Sequence, residues 1–293
     1  MLNTIYLPVS VVIPTLGGSQ ILQTINNLNT TNLKPREILI CIPKELSYKL
    51  NFNFDNNIKI IETDLYGQVY QRTIGFKKAT EDFVLQLDDD LLFSIDNIQI
   101  MLNELRHLGI NNCIGPQLYD EKNKIYNYSI YNGFTKFESY IIEYFLGGAK
   151  FGKDRMGKIS KSGQNFGYDI RHMKNNIQNV EWLAGGCVLF YKKNLILENY
   201  YPFQGKAYCE DLIHSYLLKK NETKLWITKS AICILDGEYL ELNNAEIKKQ
   251  IQAHLYFLKL INGSIFQFYI IKYYWRFRNI VTIKLYKLYK SIF

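Results

Sequence analysis

Phe83-Val84-Leu85-Gln86-Leu87-Asp88-Asp89-Asp90 decides how the rest of the chain is read, because a short apolar run passes directly into three carboxylates. A run of that length reads as a buried strand. Side chains alternate along an extended chain, so Asp88 and Asp90 point the same way. Two carboxylates converging at a strand end make a seat for a hard cation, Mg²⁺ or Mn²⁺, which takes oxygen ligands and bridges to phosphates. The competing reading is an acidic turn capping the helix that follows, since Asp is a common turn former.

The segments before the triplet supply strands and helices in alternation. Val9-Ser10-Val11-Val12-Ile13 is β-branched and ends at Pro14, which reads as a strand entering a loop. Apolar residues at helical spacing follow between Ile21 and Leu28. Glu37 to Ile42 is a second strand stopped by Pro43, Ile58 to Ile61 a third, and Gln68 to Ala79 a helix. This alternation predicts parallel βαβ units with functional groups at the carboxyl ends of the strands. After Pro116 the pattern loosens. Tyr119 to Val180 is rich in Tyr, Asn, Gly and Lys, with six glycines between Gly147 and Tyr168, and reads as long, partly mobile loops with short elements. Regular signals return at Trp182 to Tyr191, at a helix beginning near Glu210, at a strand from Leu225 to Leu235, and in a helical stretch from Asn244 onward.

With 293 residues, 47% of them hydrophobic, the chain can build one sizeable α/β core. No uninterrupted apolar stretch is long enough to span a membrane. Met1 to Val12 lacks a basic flank before a long apolar run, so no signal peptide is expected. Five scattered cysteines without a CxxC pair argue against a disulfide framework or a zinc site, and fit a reducing cytosol. His107, His172, His214 and His254 are isolated and read as ordinary packing or surface residues.

The net charge of +8 is concentrated near the end. Ser264 to Phe293 carries six basic residues and no acidic one, which leaves +2 for everything before it and indicates no nucleic-acid footprint. At helical spacing Lys272, Arg276, Lys284, Lys287 and Lys290 share one third of the circumference. Ile271, Tyr274, Val281, Leu285, Leu288 and Ile292 lie roughly opposite, among ten aromatics. A basic, aromatic-rich amphipathic helix suits an anionic membrane surface. The expected location is therefore cytoplasmic, peripheral on the inner face of the plasma membrane. Packing on the core with lysines outward is the other reading.

The ordered set Val9 to Thr15, strand plus Asp88-Asp89-Asp90, and Glu210-Asp211 opening a helix resembles the family-2 glycosyltransferases, over roughly Val9 to Asp236. The resemblance implies an α/β GT-A fold, a Rossmann-like, mostly parallel sheet flanked by helices, here with a C-terminal helical extension. It implies a nucleotide-sugar half over 1–118, an acceptor and catalytic half over 119–240, and the extension over 241–293. It further implies an inverting transfer of sugar from a nucleotide diphosphate donor, expected to be a UDP-sugar, with Mn²⁺ or Mg²⁺. The acceptor would be a hydroxyl of a glycan or lipid-linked molecule, as in cell-surface polysaccharide synthesis.

Residue by residue, Pro14 and Thr15 would line the base and ribose pocket, and Arg72 in Gln71-Arg72-Thr73-Ile74-Gly75 would lie near the nucleotide. Asp88 and Asp90 match the DxD motif, with Asp89 beside the nucleotide sugar. Gly185 and Gly186, in Trp182-Leu183-Ala184-Gly185-Gly186, would floor the donor-sugar site, and Asp211 falls where the family keeps its catalytic base. A base on the acceptor side, apart from the metal carboxylates, is also what a single displacement requires. The second strand ends Cys41-Ile42-Pro43 where the family usually has a base-reading Asp, a task that would pass to Asp64. Thr73 replaces the usual Asn. Asp236 stands near where relatives place a metal-ligating His.

Two other classes fit the sequence less well. A nucleotidyltransferase that forms nucleotide sugars is disfavoured because Pro14 to Ser19 lacks a basic residue. A non-catalytic sugar-binding protein is disfavoured by the presence of both Asp88-Asp89-Asp90 and Asp211.

Overall fold

The computed structural model describes residues 4–120, 125–126, 133–235 and 243–292. Its elements run β1 (Ile5–Pro14), α1 (Ile21–Asn29), β2 (Leu33–Pro43), β3 (Ile58–Thr63), α2 (Gln68–Lys78), β4 (Phe83–Leu87), β5 (Leu91–Leu92), α3 (Ile95–Leu108) and β6 (Asn112–Asp120). They continue with β7 (Ile125–Tyr126), α4 (Gly133–Phe145), β8 (Ile177–Val180), β9 (Cys187–Tyr191), α5 (Glu210–Lys220), β10 (Lys224–Leu235), α6 (Asn244–Leu260) and α7 (Ile265–Ile292).

The described strands form one sheet in the order β3-β2-β1-β4-β9-β6-β10-β5, with β7 beside β6 and β8 beside β10. β3, β2, β1 and β4 are mutually parallel, as are β6 and β10, whereas β9 runs antiparallel between β4 and β6. The sheet is continuous through the boundary expected at 118/119, which falls inside β6.

Alternation along the strands builds a core on each face. Val9, Val11, Ile13, Ile38, Ile40, Ile42, Leu85 and Leu87 point to one side, where α1 and α3 cover them. Val12, Leu39, Cys41 and Val84 point to the other, against Phe76 of α2 and Leu218 of α5. Helices on both faces explain why these strands are continuously apolar and not alternating in polarity. Gly75 lets α2 lie close to the sheet: a Cβ there would stand 2.4 Å from Val12 Cγ1 and 2.6 Å from Cys41 Sγ.

Two elements depart from the sequence expectation. α3, the helix that follows the Asp triplet, is capped by Ser94, whose side chain accepts from Asn97 N, so the triplet is not that helix's cap. Within the stretch read as loops, α4 is a 13-residue helix. It is held to α7 by Glu138 and Glu143, which accept from Tyr274 and Trp275 at 2.6 and 2.8 Å. Four of the six glycines between 147 and 168 make left-handed turns (Gly148, Gly152, Gly157 and Gly163).

Candidate active site

Because β1 and β4 are parallel neighbours, Pro14 and Asp88 emerge side by side at their carboxyl ends. β9 runs the other way, so its beginning meets this edge and brings Gly185-Gly186 beside the acidic triplet. Leu87 pairs with Cys187, and Asp88 N donates to Gly186 O at 2.8 Å. Buried Gln86 donates to Gly185 O. A Cβ on Gly185 would come within 2.6 Å of Glu210 Oε2, and one on Gly186 within 3.2 Å of Asp88 Oδ2. The glycine pair is thus where the strand-end carboxylates and the start of α5 approach most closely. Leu183 N, donating to Ser215 Oγ at 3.0 Å, ties the same segment to α5.

Asp88 Oδ1 accepts from Arg72 Nη2 and, at 2.9 Å, from Gln68 Nε2. Asp90 is exposed, and partial desolvation and then the neighbouring charge of Asp88 raise its pKa. Burial also raises Asp89, against the hydrogen bond from Thr15, with Asp90 and Asp88 adding to the rise. A cluster whose members resist being charged together fits a divalent cation, which relieves that repulsion. Among the described residues no three His, Cys, Asp or Glu side chains converge on one point. Asp88 and Asp90 would therefore hold the ion with water and phosphate oxygens completing its shell, as Mg²⁺ is commonly held. Asp236 lies outside the described residues.

On the nucleotide side, Pro14 is buried at the end of β1 and Asp64 is exposed just past β3, both at the carboxyl edge. The Thr15 hydroxyl is already engaged: it donates to Asp89 Oδ2 and accepts from Gly17 N at 2.9 Å. Thr15 therefore fixes Asp89 at the end of β1. Gln71 Nε2 donates to Thr15 O and Cys41 O at 2.8 and 2.7 Å, binding the ends of β1 and β2 to α2.

Arg72 is only 2% exposed. It links the two sides of the cleft, with Nη2 on Asp88 and Nη1 2.9 Å from Glu210 Oε2 as an ion pair whose N–H is not aligned as a hydrogen bond. One guanidinium thus sets the separation of those carboxylates. Burial alone would raise Glu210, but Arg72, with the hydroxyl of Tyr200 donating to Oε1, holds it below the usual carboxylate range. His214 Nδ1 lies 4.0 Å from Glu210 Oε1; burial depresses that imidazole to about 4, so the contact is dipolar and not ionic near neutral pH. Asp211 is compensated less. Burial and then the charge of Glu210 push it up to about 7, against Leu212 N, which donates to Oδ1 at 2.9 Å, its own backbone N–H and the charge of Arg72. A carboxylate poised near neutrality is suited to taking a proton.

The residue before this pair, Cys209, has φ 56° and ψ 16°, a left-handed conformation uncommon for a non-glycine residue. Gln68, Gln71 and Tyr200 are site members the sequence did not single out, and Glu210, quoted there beside Asp211, had no role assigned. Gln68 had a signal, lying one helical turn before Arg72 on α2, and Gln71 directly precedes Arg72. Tyr200 and the pairing of Glu210 with Arg72 had none.

The family model described as Glycosyl transferase family 2 matches residues 10–168. None of the curated proteins matches the chain. Among solved structures, the crystal structure of GalNAc-T7 with UDP, GalNAc and Mn²⁺ is similar at 14% identity and TM-score 0.55, over 84% of this chain and 48% of that one. The mannosyltransferase PcManGT from Pyrobaculum calidifontis, in complex with GDP-Man and Mn²⁺, aligns at 12% identity and TM-score 0.49, over 88% of this chain and 65% of that one. The chain thus spans about half of the first protein and less than two thirds of the second. At 14% identity the likeness to the first establishes the fold, which is GT-A.

Proposed function

The chain belongs to glycosyl transferase family 2, and from that membership we propose that it moves a sugar from a nucleotide diphosphate, a UDP-sugar, to a hydroxyl acceptor with inversion at the anomeric carbon. The acceptor is a glycan or lipid-linked molecule of the kind used in building cell-surface polysaccharide. The observation that carries this reading is the division of the carboxylates. Asp88 and Glu210 are tied through Arg72, whereas Asp211 is left with its pKa near 7. The UDP, GalNAc and Mn²⁺ of the structure with similar fold agree with the donor class.

Asp88 and Asp90 would hold a divalent ion, which would supply neutralising charge to the departing diphosphate. The glycine pair lets the segment that would floor the donor-sugar site pack directly against Glu210 and Asp88. Asp211 takes the proton of the acceptor hydroxyl as its oxygen bonds to the anomeric carbon. The bond from that carbon to the diphosphate breaks, and its electron pair leaves on the diphosphate oxygen.

A donor screen with and without Mn²⁺, followed by NMR coupling constants of the product, tests the proposal. Product configuration opposite to the donor's, and loss of nucleotide binding in EDTA, are expected. Asp211→Asn should keep nucleotide and metal binding while transfer falls by roughly two to four orders of magnitude. A product of retained configuration, or near-normal transfer by Asp211→Asn, would overturn it.

A further inference from the structure

Between Ile265 and Val281, α7 is fastened to the protein along one side and exposed along the other. On the inner side Tyr274 Oη and Arg278 Nη2 donate to Glu138 at 2.6 and 3.0 Å, Trp275 Nε1 donates to Glu143 at 2.8 Å, and Ile271 is buried. Ile271 and Tyr274 belong to the apolar row that the sequence sets opposite the lysines, so in this part of the helix that row meets α4 and not a membrane.

The outer side carries a different row. Successive residues turn by about 100°, so positions 266, 273, 277 and 280 fall within about 60° of one another, away from Ile271 and Trp275. Phe266, Tyr273 and Phe277 are 74%, 62% and 68% exposed, and Ile280 is exposed as well. Single exposed apolar residues are ordinary, but an aligned row of aromatics marks an interaction surface. Lys272 and Arg276 flank it on one side, and Ser264 to Phe293 contains no acidic residue. No helix among the described residues is long and apolar enough to cross a membrane.

We propose that this outer face of α7 docks on an anionic lipid bilayer, with the helix lying in the plane of the interface. Phe266, Tyr273, Phe277 and Ile280 enter the headgroup–acyl boundary, where aromatic rings are favoured, and Lys272 and Arg276 meet anionic headgroups. A second copy is a poorer occupant. A twofold contact through the strip would set its basic flank close to the same flank of the partner, with no acidic residue on the helix to answer it. The inference is independent of which donor and acceptor the enzyme uses.

Co-sedimentation of the full chain with vesicles of phosphatidylcholine alone, and of phosphatidylcholine with phosphatidylglycerol, tests it at low and high salt. Binding to the anionic vesicles that weakens with salt is expected. It should fall at least tenfold in the triple variant Phe266→Ser, Tyr273→Ser, Phe277→Ser, and in Lys272→Glu with Arg276→Glu. Tyr48→Ser, an exposed aromatic elsewhere, should bind as the unaltered chain does. Far-UV circular dichroism and melting establish that the variants fold. If the triple variant does not fold, the exposed Arg276→Glu alone must still weaken binding. No sedimentation at low salt, equal binding to neutral vesicles, or unchanged binding by the folded variants overturns the proposal. A dimer in solution that the triple variant dissociates would assign the strip to a second copy and overturn it too.

Discussion

Arg72 neutralises Glu210, and Glu210, by staying ionised, helps to keep Asp211 protonated up to about pH 7. Two consequences can be measured. Glu210→Gln removes one of the two influences that raise Asp211, so the acidic limb of the pH profile of kcat/KM should move below 7. A limb that stays in place would show burial alone to be responsible. The second concerns stability. The folded-state pKa of Asp211 lies above its ordinary 3.8, so its contribution is fully present below about pH 4 and is lost as pH rises through 7. Asn is neutral throughout. Asp211→Asn should therefore be the more stable protein at pH 8, by about 1–3 kcal/mol after discounting for partial exposure, and the gain should shrink toward pH 4. Thermal melts at both pH values decide it, and an unchanged difference would contradict the raised pKa. Asp88, Asp90 and Asp211 were legible in the sequence because each sits at an element boundary within an ordered motif set. The Arg72–Glu210 pair was not, since nothing local links residues from opposite halves of the chain.

The element that aims Asp211 is the first turn of α5, and it is entered through the left-handed Cys209. Cys209 Sγ lies 3.6 Å from His254 Nδ1, and His254 Nε2 lies 3.2 Å from Ser162 O. A carbonyl only accepts, so Nε2 carries the proton and Nδ1 accepts from the thiol, which burial keeps protonated with a pKa pushed up to about 12. His254 also stacks on Phe268, centroids 4.6 Å apart, so α6 and α7 support the entry to α5. Glycine adopts a positive φ freely, whereas a β-branched residue does so at a cost of about 1–3 kcal/mol. Cys209→Gly should keep kcat within about threefold, and Cys209→Val should lower both melting temperature and kcat. Equal behaviour of the two would remove the conformational demand. Legibility differed sharply among elements. The β-branched strands declared themselves, and α3 had its signal in Ile95, Ile98, Met101, Leu102 and Leu105 behind Ser94. α4 gave little, because its many aromatics are poor helix formers, and two hydrogen bonds and an ion pair with distant α7 hold it.

Across the whole molecule the sheet is electrostatically asymmetric. Toward the amino ends of the strands, buried Glu37 accepts from Ser10 Oγ (2.6 Å), Thr80 N (2.6 Å), Thr80 Oγ1 (2.8 Å) and Lys59 Nζ (3.1 Å). Burial would raise it, but these donors together hold it below the usual range. At the carboxyl ends, Asp89 and Asp90 are raised instead. A parallel arrangement was legible from the alternation of strands and helices. The reversal of β9 was not, because strand direction leaves no mark on composition, and that reversal is what brings Gly185-Gly186 to the cleft. The asymmetry separates structural from functional carboxylates in one experiment. A ligand that binds only the folded state stabilises it by RT ln(1 + [L]/Kd), about 2.7 kcal/mol at a hundredfold excess over Kd. UDP with Mn²⁺ should therefore raise the melting temperature of the unaltered chain. Glu37→Gln leaves part of a buried network unsatisfied, so it should lower the baseline by about 1–3 kcal/mol and keep the ligand-induced rise. Asp90→Ala relieves repulsion, so its baseline should hold or rise while the ligand-induced rise disappears. If Asp90→Ala kept the full rise and Glu37→Gln lost it, the two edges of the sheet would have to exchange roles.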